Sequence, residues 1–343
     1  MTALTDIGAP VFTHLAALSD DTGLFEHARH ATPRREHGYC VDDVARGLIA
    51  AVREPDPDPV VARLGETYLR FLLEALSPDG LCHNRRSVGS AWSDVASLGD
   101  WWGRAVWGLG TAAVRAPLPL SRARALRGFA SAIVQRSPHL RAMSFAAIGA
   151  GEVLLARPRD LGALLLLEDF LELIPDRRGT AWPWPEDRLR YGNGSVAEAL
   201  IVAGAALHDE KATTAGLELL EFLLRTETSA GHLSVTGVAG SGPEDLRPQY
   251  DQQPIEVAAI ADACARAYDV TGDAEWLSGV DLAWGWFEGD NDSGTVMLDP
   301  LTGAGYDGLM PEGRNENRGA ESTIAAVTTQ QHARRFAGIR RSP

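Results

Sequence analysis

Side chains that could bind and cleave a sugar are concentrated in five stretches of the 343-residue sequence. These stretches are 34–43, 99–104, 182–193, 250–256 and 306–322, and each carries a carboxylate, an aromatic residue or both. Carboxylates, amides and arginines form paired hydrogen bonds with sugar hydroxyls, while aromatic rings stack on the apolar C–H faces of the sugar. Their combination in the same stretches indicates a carbohydrate site.

Cleavage of a glycosidic bond requires one carboxyl group that stays protonated beside another that stays ionised. The stretches supply candidates for both roles. We expect the general acid and the general base among Asp43, Asp100, Asp251, Glu256 and Glu316. The start of a helix favours an ionised carboxylate, as at Asp42 and Asp100. A crowded pocket lined with tryptophan should raise the pKa of at least one of Glu186, Asp251 and Glu256.

A second set of polar and aromatic side chains in or beside these stretches could hold the sugar itself. We expect sugar contacts from His37, Tyr39, Asp42, Arg46, Trp101, Arg104, Trp184, Glu186, Gln252, Gln253, Asn317 and Glu321. Simpler interpretations remain open for some of them. Asp42, Asp100 and Asp251 could be plain helix N-caps, and the tryptophans could belong to the core.

Glu256 and Glu321 give the strongest single argument for a polar pocket. Both lie in segments that are otherwise apolar and predicted to face the core. A buried carboxylate is too costly unless it is paired or faces a cavity. The sequence therefore predicts that these two residues mark a pocket or a buried polar network.

Helical periodicity dominates the rest of the chain, and the predicted helices come in pairs. One member of each pair is small, apolar and rich in alanine and glycine, and the other carries charges on one face. The apolar members are expected at 42–53, 100–114, 141–155, 195–207, 254–268 and 319–336. Their partners are expected at 60–76, 121–135, 161–174, 212–225 and 274–288, with the sixth around 10–18.

Helices that are apolar all round are buried, and amphipathic ones lie outside them. The pattern therefore predicts an all-α (α/α)6 toroid, formed as a single domain over 1–343, rather than an open helical solenoid. Long connections at 19–41, 78–99, 176–194, 228–253 and 289–318 precede the inner helices. We expect them to gather at one end of the toroid and to carry the site.

Composition excludes several other functions. The net charge of −14 disfavours binding to nucleic acid or to an anionic membrane surface. Lys211 is the sole lysine, so a phosphate-binding loop is absent and a pyridoxal Schiff base is improbable. No Gly-x-Gly-x-x-Gly motif and no alternating strand and helix pattern supports a dinucleotide fold.

Cysteine and histidine usage also argues against metal centres and disulfides. Cys40, Cys82 and Cys264 are far apart, and the nine histidines contain no His-Glu-x-x-His pair. We therefore expect neither cofactor nor metal ion. The first residues lack an export signal and no apolar run could span a bilayer, so the sequence predicts a cytoplasmic protein.

Three motifs resemble a known family. Segments 35–43, 251–256 and 306–322 are similar to those of bacterial (α/α)6-toroid proteins of the six-hairpin glycosidase type, which often carry a glycosyltransferase label or are fused to one. The resemblance runs from about residue 12 to about residue 335. It implies the same fold, a sugar substrate and an association with a glycosyltransferase. The chain departs from its relatives at Leu98 and Gly99, where they tend to have glutamate, and at Pro185, where they have phenylalanine.

The leading hypothesis is a glycoside hydrolase that cleaves short oligosaccharides, such as β-mannosides or β-glucosides, by paired-carboxylate acid/base catalysis. We expect inversion, because a water molecule between two carboxyl groups suits a wide cleft. A sugar epimerase or isomerase on the same fold ranks lower, because of the histidines only His37 lies in one of the motifs. A non-catalytic glycan-binding module that partners a glycosyltransferase is the third hypothesis.

Overall fold

The computed structural model describes residues 7–339 except 90, 176 and 178, and in this part of the chain it is built almost entirely from helices. The helices are α1 (Thr13–Ala17), α2 (Val41–Arg53), α3 (Pro59–Ala75), α4 (Asp100–Arg115), α5 (Pro119–Ala132), α6 (Leu140–Ala156), α7 (Leu161–Leu173), α8 (Asn193–Leu207), α9 (Glu210–Thr226), α10 (Pro254–Thr271), α11 (Leu277–Glu288) and α12 (Ala320–Phe336). Short 3-10 turns cover Arg35–His37 and Ala274–Trp276.

The even-numbered helices from α2 to α12 form a closed inner ring. Each packs against the next along the chain, and α12 packs back against α2. These helices are buried along most of their length because small apolar side chains cover nearly their whole circumference. The closed ring confirms the predicted (α/α)6 toroid and excludes the open solenoid.

The odd-numbered helices form the outer layer. Helices α3, α5, α7, α9 and α11 each pack on the inner helix that precedes them. The sixth partner is the five-residue helix α1, which packs on α12 as the sequence predicted. Where the sequence predicted one helix over 274–288, a 3-10 turn at Ala274–Trp276 leads into α11.

Ten short strands form five two-stranded antiparallel ribbons in the long connections. The strands are β1 (Ala28–Arg29), β2 (Thr32–Pro33), β3 (Tyr39–Cys40), β4 (Arg85–Arg86), β5 (Thr228–Ser229), β6 (His232–Leu233), β7 (Leu298–Asp299), β8 (Ala304–Gly305), β9 (Gly308–Met310) and β10 (Gly313–Asn315). The pairs are β1–β2, β3–β4, β5–β6, β7–β8 and β9–β10. They stiffen the loops that precede the inner helices, whereas the connections that leave those helices are short.

None of the helices in the described part of the chain is both long enough and apolar enough to cross a membrane.

Glycines allow the inner helices α4 and α6 to approach closely. A Cβ atom on Gly149 would lie 2.6 Å from Cα of Trp107, closer than real Cβ contacts allow. Gly110 of α4 faces the carbonyl oxygen of Gly149 in the same way. Helices α4 and α6 can therefore pack this closely only because glycine occupies these contact positions.

The first prediction concerns this helix contact. We expect Gly149→Ala to lower the free energy of unfolding by about 1–3 kcal/mol, since the added methyl group must force α4 and α6 apart. The matched control is Gly65→Ala in α3, where the new Cβ would find its nearest neighbour, Cβ of Ala51, at 3.6 Å. That change should be neutral or stabilising, because alanine favours a helix more than glycine does. Urea unfolding of both variants gives the comparison, and equal stability would contradict the packing argument.

Candidate active site

A cavity of about 700 Å³ opens at the end of the toroid where the inner helices begin. Its volume is typical of a site for a small ligand. Nine of the predicted site residues line it: Asp42, Asp43, Arg46, Asp100, Trp101, Arg104, Asp251, Gln253 and Glu321. They come from four of the five predicted stretches and from α2 and α12, so residues far apart in sequence do meet around one hollow.

The starts of the inner helices are built differently from those of the outer helices. Asp58, Asp160 and Asp209 cap α3, α7 and α9 with their own carboxylates. None of the six inner helices has an N-cap side chain that does so. The N-caps of α2, α4 and α10 are Cys40, Gly99 and Gln253. The interpretation of Asp42, Asp100 and Asp251 as plain N-caps is therefore wrong, and their carboxylates are available for other contacts.

Arg46 is the centre of the cavity floor. Its Nη2 atom donates to Asp42 Oδ2 at 2.7 Å and to Asp43 Oδ1 at 2.7 Å. The same atom lies 3.1 Å from Oε2 of Glu321 on α12. Arg104 of α4 adds a second guanidinium, with its Nε atom 3.3 Å from Asp42 Oδ1. Three inner helices thus meet through one cluster of two cations and three carboxyl groups.

Asp42 and Asp43 are neighbours in sequence, but their environments move their pKa values in opposite directions. Burial would raise the pKa of Asp42, but the guanidinium groups of Arg46 and Arg104 outweigh it and hold that pKa below its usual value. Burial raises the pKa of Asp43 well above its usual value, and the nearby carboxylates of Asp42 and Glu321 add to the shift against the opposing effect of Arg46. The cavity therefore holds two adjacent carboxyl groups whose pKa values are displaced in opposite directions.

Asp100 and Asp251 face the cavity from two further elements. Asp100 accepts a hydrogen bond from the hydroxyl of Tyr191, which also lines the cavity. The backbone of Asp251 is fixed, because its carbonyl oxygen accepts a hydrogen bond from the amide of Val238 at 3.0 Å. No side-chain hydrogen bond or ion pair holds the carboxylate of Asp251 within the described residues, so it is open to a ligand or to water.

The carboxylates of Asp42, Asp43 and Glu321 offer oxygen atoms within 4.8 Å of one another, a spacing that could also hold a cation. The guanidinium of Arg46 contacts all three. It already supplies the positive charge that a metal ion would bring. We assign no metal to this cluster.

Glu256, a predicted catalytic residue, does not line the cavity. Its Oε1 atom accepts the amide of Gly192 at 2.5 Å, and its Oε2 atom accepts the amide and the side-chain nitrogen of Asn193 at 3.2 and 2.9 Å. Burial raises the pKa of Glu256 to about 8, but this shift arises in the framework and not in the cavity where it was expected. Glu256 therefore links the start of α8 to α10. Of the two predictions for this residue, a pocket or a buried polar network, the buried network is the one observed.

Three more predicted sugar contacts are part of the framework instead. Trp184 is fully buried and stacks against Phe222. Glu186 receives two 2.5 Å hydrogen bonds from Nη1 of Arg141. The side chain of Gln252 donates to Asp292 at 2.6 Å, and its backbone pairs with β9. The core interpretation of the tryptophans is thus right for Trp184, whereas Trp101 lies on the cavity wall.

The remaining predicted residues lie in the loops around the cavity but outside its wall. Tyr39 is buried, and its hydroxyl donates to Asp20 at 2.7 Å. His37 makes an edge-on contact with the ring of His27, at 5.1 Å between centroids.

Two loop residues that follow β10 are held in place by their own neighbours. Glu316, a predicted catalytic residue, is half exposed and pairs with Arg314 at 3.0 Å. Asn317, a predicted sugar contact, accepts the amide of His30 at 2.9 Å. Neither lines the cavity, so direct roles for them are not supported by their positions.

The cavity wall also contains residues that sequence reasoning did not choose, namely Glu26, His27, Cys40, Asn84, Arg85, His139, Tyr191, Ile255, Asp307, Asn315 and Ser322, with Gly99 and Gly319. Most lie inside the predicted loops and could have been included. His139 could not, because it precedes α6 in a short connection that lacks the polar pattern of the others. Asn84 and Arg85 reach the wall through the pairing of β4 with β3.

No protein-family model and no curated protein matches the sequence. Solved structures do match. A sugar epimerase from a ruminal bacterium is 11% identical, with 96% of this chain and 97% of that chain covered and a TM-score of 0.68. The cellobiose 2-epimerase of Bacillus thermoamylovorans is 11% identical over 95% of this chain and 96% of its own, with a TM-score of 0.69.

A GH76 α-mannanase from Bacteroides thetaiotaomicron is also similar. It is 11% identical, with 95% of this chain and 94% of that chain covered and a TM-score of 0.65. At these identities the likeness concerns the fold and not the reaction. The chain has the (α/α)6 toroid of the glycosidase-like type, a fold found in hydrolases and in epimerases of sugars.

Proposed function

We propose that the protein is a carbohydrate-active enzyme that hydrolyses short oligosaccharides. The observation that carries the proposal is the pair of adjacent carboxyl groups, Asp42 and Asp43, whose pKa values are shifted in opposite directions on the wall of a sugar-sized cavity. Glycosidic cleavage needs a proton donor whose pKa lies above that of an ordinary carboxyl group, and the raised pKa of Asp43 makes it the candidate. The free carboxylate of Asp251 on the same wall supplies the base.

In the proposed mechanism, Asp43 gives its proton to the glycosidic oxygen as the bond to the anomeric carbon breaks. Asp251 takes a proton from a water molecule that attacks the same carbon. The two carboxyl groups then exchange their protons with solvent, which restores the starting state. Asp42 and Arg104 hold sugar hydroxyls, and the ring of Trp101 lies against a sugar face. Attack by water on the opposite side from the leaving group gives inversion.

A second candidate, a sugar epimerase or isomerase, is favoured by a specific feature of the wall. The sequence ranked it lower because only His37 lay in a motif, yet the cavity is lined by His27 and His139. Neutral imidazole is a common proton acceptor near pH 7. Two of the similar structures reported above are sugar epimerases, which agrees with this alternative.

The second prediction separates these functions. Incubation of the purified protein with a panel of β-linked manno- and gluco-oligosaccharides, followed by chromatography, should release smaller sugars, and NMR should show the inverted anomer first. Isomerised products of unchanged length would replace the hydrolase by the epimerase. Binding without any product would leave a glycan-binding module as the function.

The third prediction assigns the acid and the base. Asp43→Asn and Asp251→Asn should each lower kcat by about 10²–10⁴-fold, because each removes one proton transfer. The control is Asp56→Asn, an exposed carboxylate in the connection after α2 at the opposite end of the toroid. It should retain the wild-type rate. If either cavity variant kept the wild-type rate and an unchanged melting temperature, the catalytic role of the substituted aspartate would be refuted.

The fourth prediction concerns pH. Because the pKa of Asp43 lies well above its usual value, the enzyme should keep its proton donor at neutral pH. The rate should fall as pH rises through that pKa, when Asp43 loses its proton. A plot of kcat/KM against pH should therefore show an alkaline limb far above the usual carboxyl range. A rate that is lost already near the ordinary pKa of aspartate would contradict Asp43 as the acid.

The fifth prediction distinguishes Glu256 from the cavity carboxylates. Glu256→Gln should cost about 1–3 kcal/mol of stability, since the new amide group must face N–H donors at the start of α8. Asp251→Asn should leave stability nearly unchanged. Thermal unfolding of the two variants tests the contrast. If Glu256→Gln abolished turnover without any loss of stability, Glu256 would return to the catalytic set.

A further inference from the structure

A second cavity, of about 460 Å³, opens at the opposite end of the toroid, where the inner helices end. We call it the distal cavity. Each inner helix contributes a charged or titratable side chain to its wall: Arg53, Arg115, Glu152, Glu198, Asp262 and His332. Nothing in the proposed reaction uses these residues. Core packing does not explain why all six inner helices place charged or titratable side chains around one cavity.

One side of the distal cavity is a closed ion-pair network. Arg53 donates to Asp262 at 2.5 Å, and the same carboxylate oxygen lies 2.6 Å from Nε2 of His332. The pKa of Asp262 is held well below its usual value because these two groups outweigh the effect of burial. Burial lowers the pKa of His332, although Asp262 opposes the shift. The charged groups on this side pair with one another, so they require no ligand.

The other side is incomplete at Glu198. Arg266 hydrogen-bonds to Oε1 of Glu152, and Arg115 donates to Oε2 of Glu152 at 3.1 Å. Oε1 of Glu198 lies 3.5 Å from Nε of Arg266. Oε2 of Glu198 has no hydrogen-bond partner among the described residues, although the residue is only 1% exposed. An unpartnered buried polar atom on a residue of the cavity wall is unusual and calls for an explanation, such as a water molecule or a ligand.

The arginines at the distal cavity also have hydrogen-bond donors to spare. Five of them line it: Arg53, Arg115, Arg266, Arg334 and Arg335. Within the described residues, Arg115 donates to a carboxylate through Nε, and Arg334 donates through Nη1 to Glu54 at 3.0 Å. A guanidinium group has five N–H donors, so most donors of these two remain for a ligand. They lie at the mouth, where their side chains are 43% and 42% exposed.

Five carboxyl groups line the distal cavity as well: Glu54, Glu152, Glu198, Asp262 and Asp269. Burial, together with the carboxylate of Asp262, raises the pKa of Glu198 to about 8. The five carboxyl groups face five guanidinium groups, so the guanidinium groups are in excess by one only while Glu198 is protonated.

We propose that the distal cavity binds a small oxyanion, a carboxylate or phosphate group carried by a metabolite. Its oxygens accept hydrogen bonds from the spare donors of Arg115 and Arg334 and from the carboxyl group of Glu198. Oxyanions of this kind form short, charge-assisted hydrogen bonds with arginine. The distal cavity is distinct from the candidate active-site cavity, because the two open at opposite ends of the inner ring.

The proposal makes binding dependent on pH through Glu198. The groups that face this carboxyl are Asp262 and Arg266 of α10, Arg53 of α2 and Glu152 of α6. Below about pH 8 Glu198 is protonated and donates to the anion. As pH rises above that value the group ionises and repels the anion, so affinity must fall.

Inorganic sulfate is a suitable probe, because its charge stays constant over the relevant pH range. Isothermal titration of the full chain with sodium sulfate, at constant ionic strength in chloride, should show one saturable site near pH 7. At about pH 9 the dissociation constant should rise about tenfold, as expected when a donor becomes a like charge. Glu198→Gln should retain the affinity near pH 7 and lose this dependence on pH.

A matched pair of arginine variants locates the site. Arg334→Gln should weaken sulfate binding about tenfold, because it removes a charged donor from the mouth. Arg188→Gln is the control, since Arg188 is 41% exposed and pairs with Asp245 at 2.6 Å outside the distal cavity. Circular dichroism melting checks that all variants fold.

Three results with sulfate would overturn the proposal. They are the absence of saturable sulfate binding, binding that Arg334→Gln and Arg188→Gln affect equally, and a wild-type pH dependence in Glu198→Gln. Saturable binding of a diamine in place of sulfate would assign the site to a cation and would also overturn it. None of these results bears on oligosaccharide hydrolysis, so the two proposals can fail separately.

Discussion

The ion pairs of the buried Arg46 guanidinium are the interaction on which the cavity at the starts of the inner helices depends. Arg46 lies on the first inner helix and contacts Glu321 on the last, so the ion pair spans the point where the ring closes. A buried charge is tolerated only where partners surround it, and removal of either partner leaves the other uncompensated. Closure of the toroid and assembly of the cavity floor therefore require each other. Carboxylates at the ends of the sequence meet because the ring brings α2 and α12 side by side.

A second guanidinium, that of Arg104, accounts for the difference between the two adjacent aspartates that contact Arg46. Asp42 contacts Arg46 and Arg104 and is 25% exposed at its side chain, whereas Asp43 contacts Arg46 alone and is 5% exposed. Two positive neighbours outweigh burial at Asp42, and one does not at Asp43. The opposite pKa shifts of the two carboxyl groups thus arise from a one-residue step along a helix, which turns the second side chain away from the second cation.

The fold was predictable from the sequence because burial acts on whole helices. An inner helix needs small apolar residues on every face, and that pattern is visible without coordinates. The site was predictable only in part. Asp43, Asp251 and Arg46 were found because they belong to loops or helix starts at the correct end. Glu256 also lies at a helix start at that end, yet its side chain turns toward α8. His139 was missed because its connection is short. Position along the chain specifies the end of the toroid, whereas packing decides which way each side chain points.

The two ends of the toroid follow one electrostatic rule. The amide ends of helices favour negative charge, and the carbonyl ends favour positive charge. Asp42, Asp43, Asp100 and Glu321 lie in the first turns of α2, α4 and α12. Arg53, Arg115, Arg334 and Arg335 lie in the last turns of the same helices. Parallel inner helices therefore place acidic first turns at one end of the ring and arginines in the last turns at the other. The distal cavity combines five guanidinium groups with five carboxyl groups. Anion binding there, as proposed, depends on Glu198, whose Oε2 atom has no hydrogen-bond partner among the described residues.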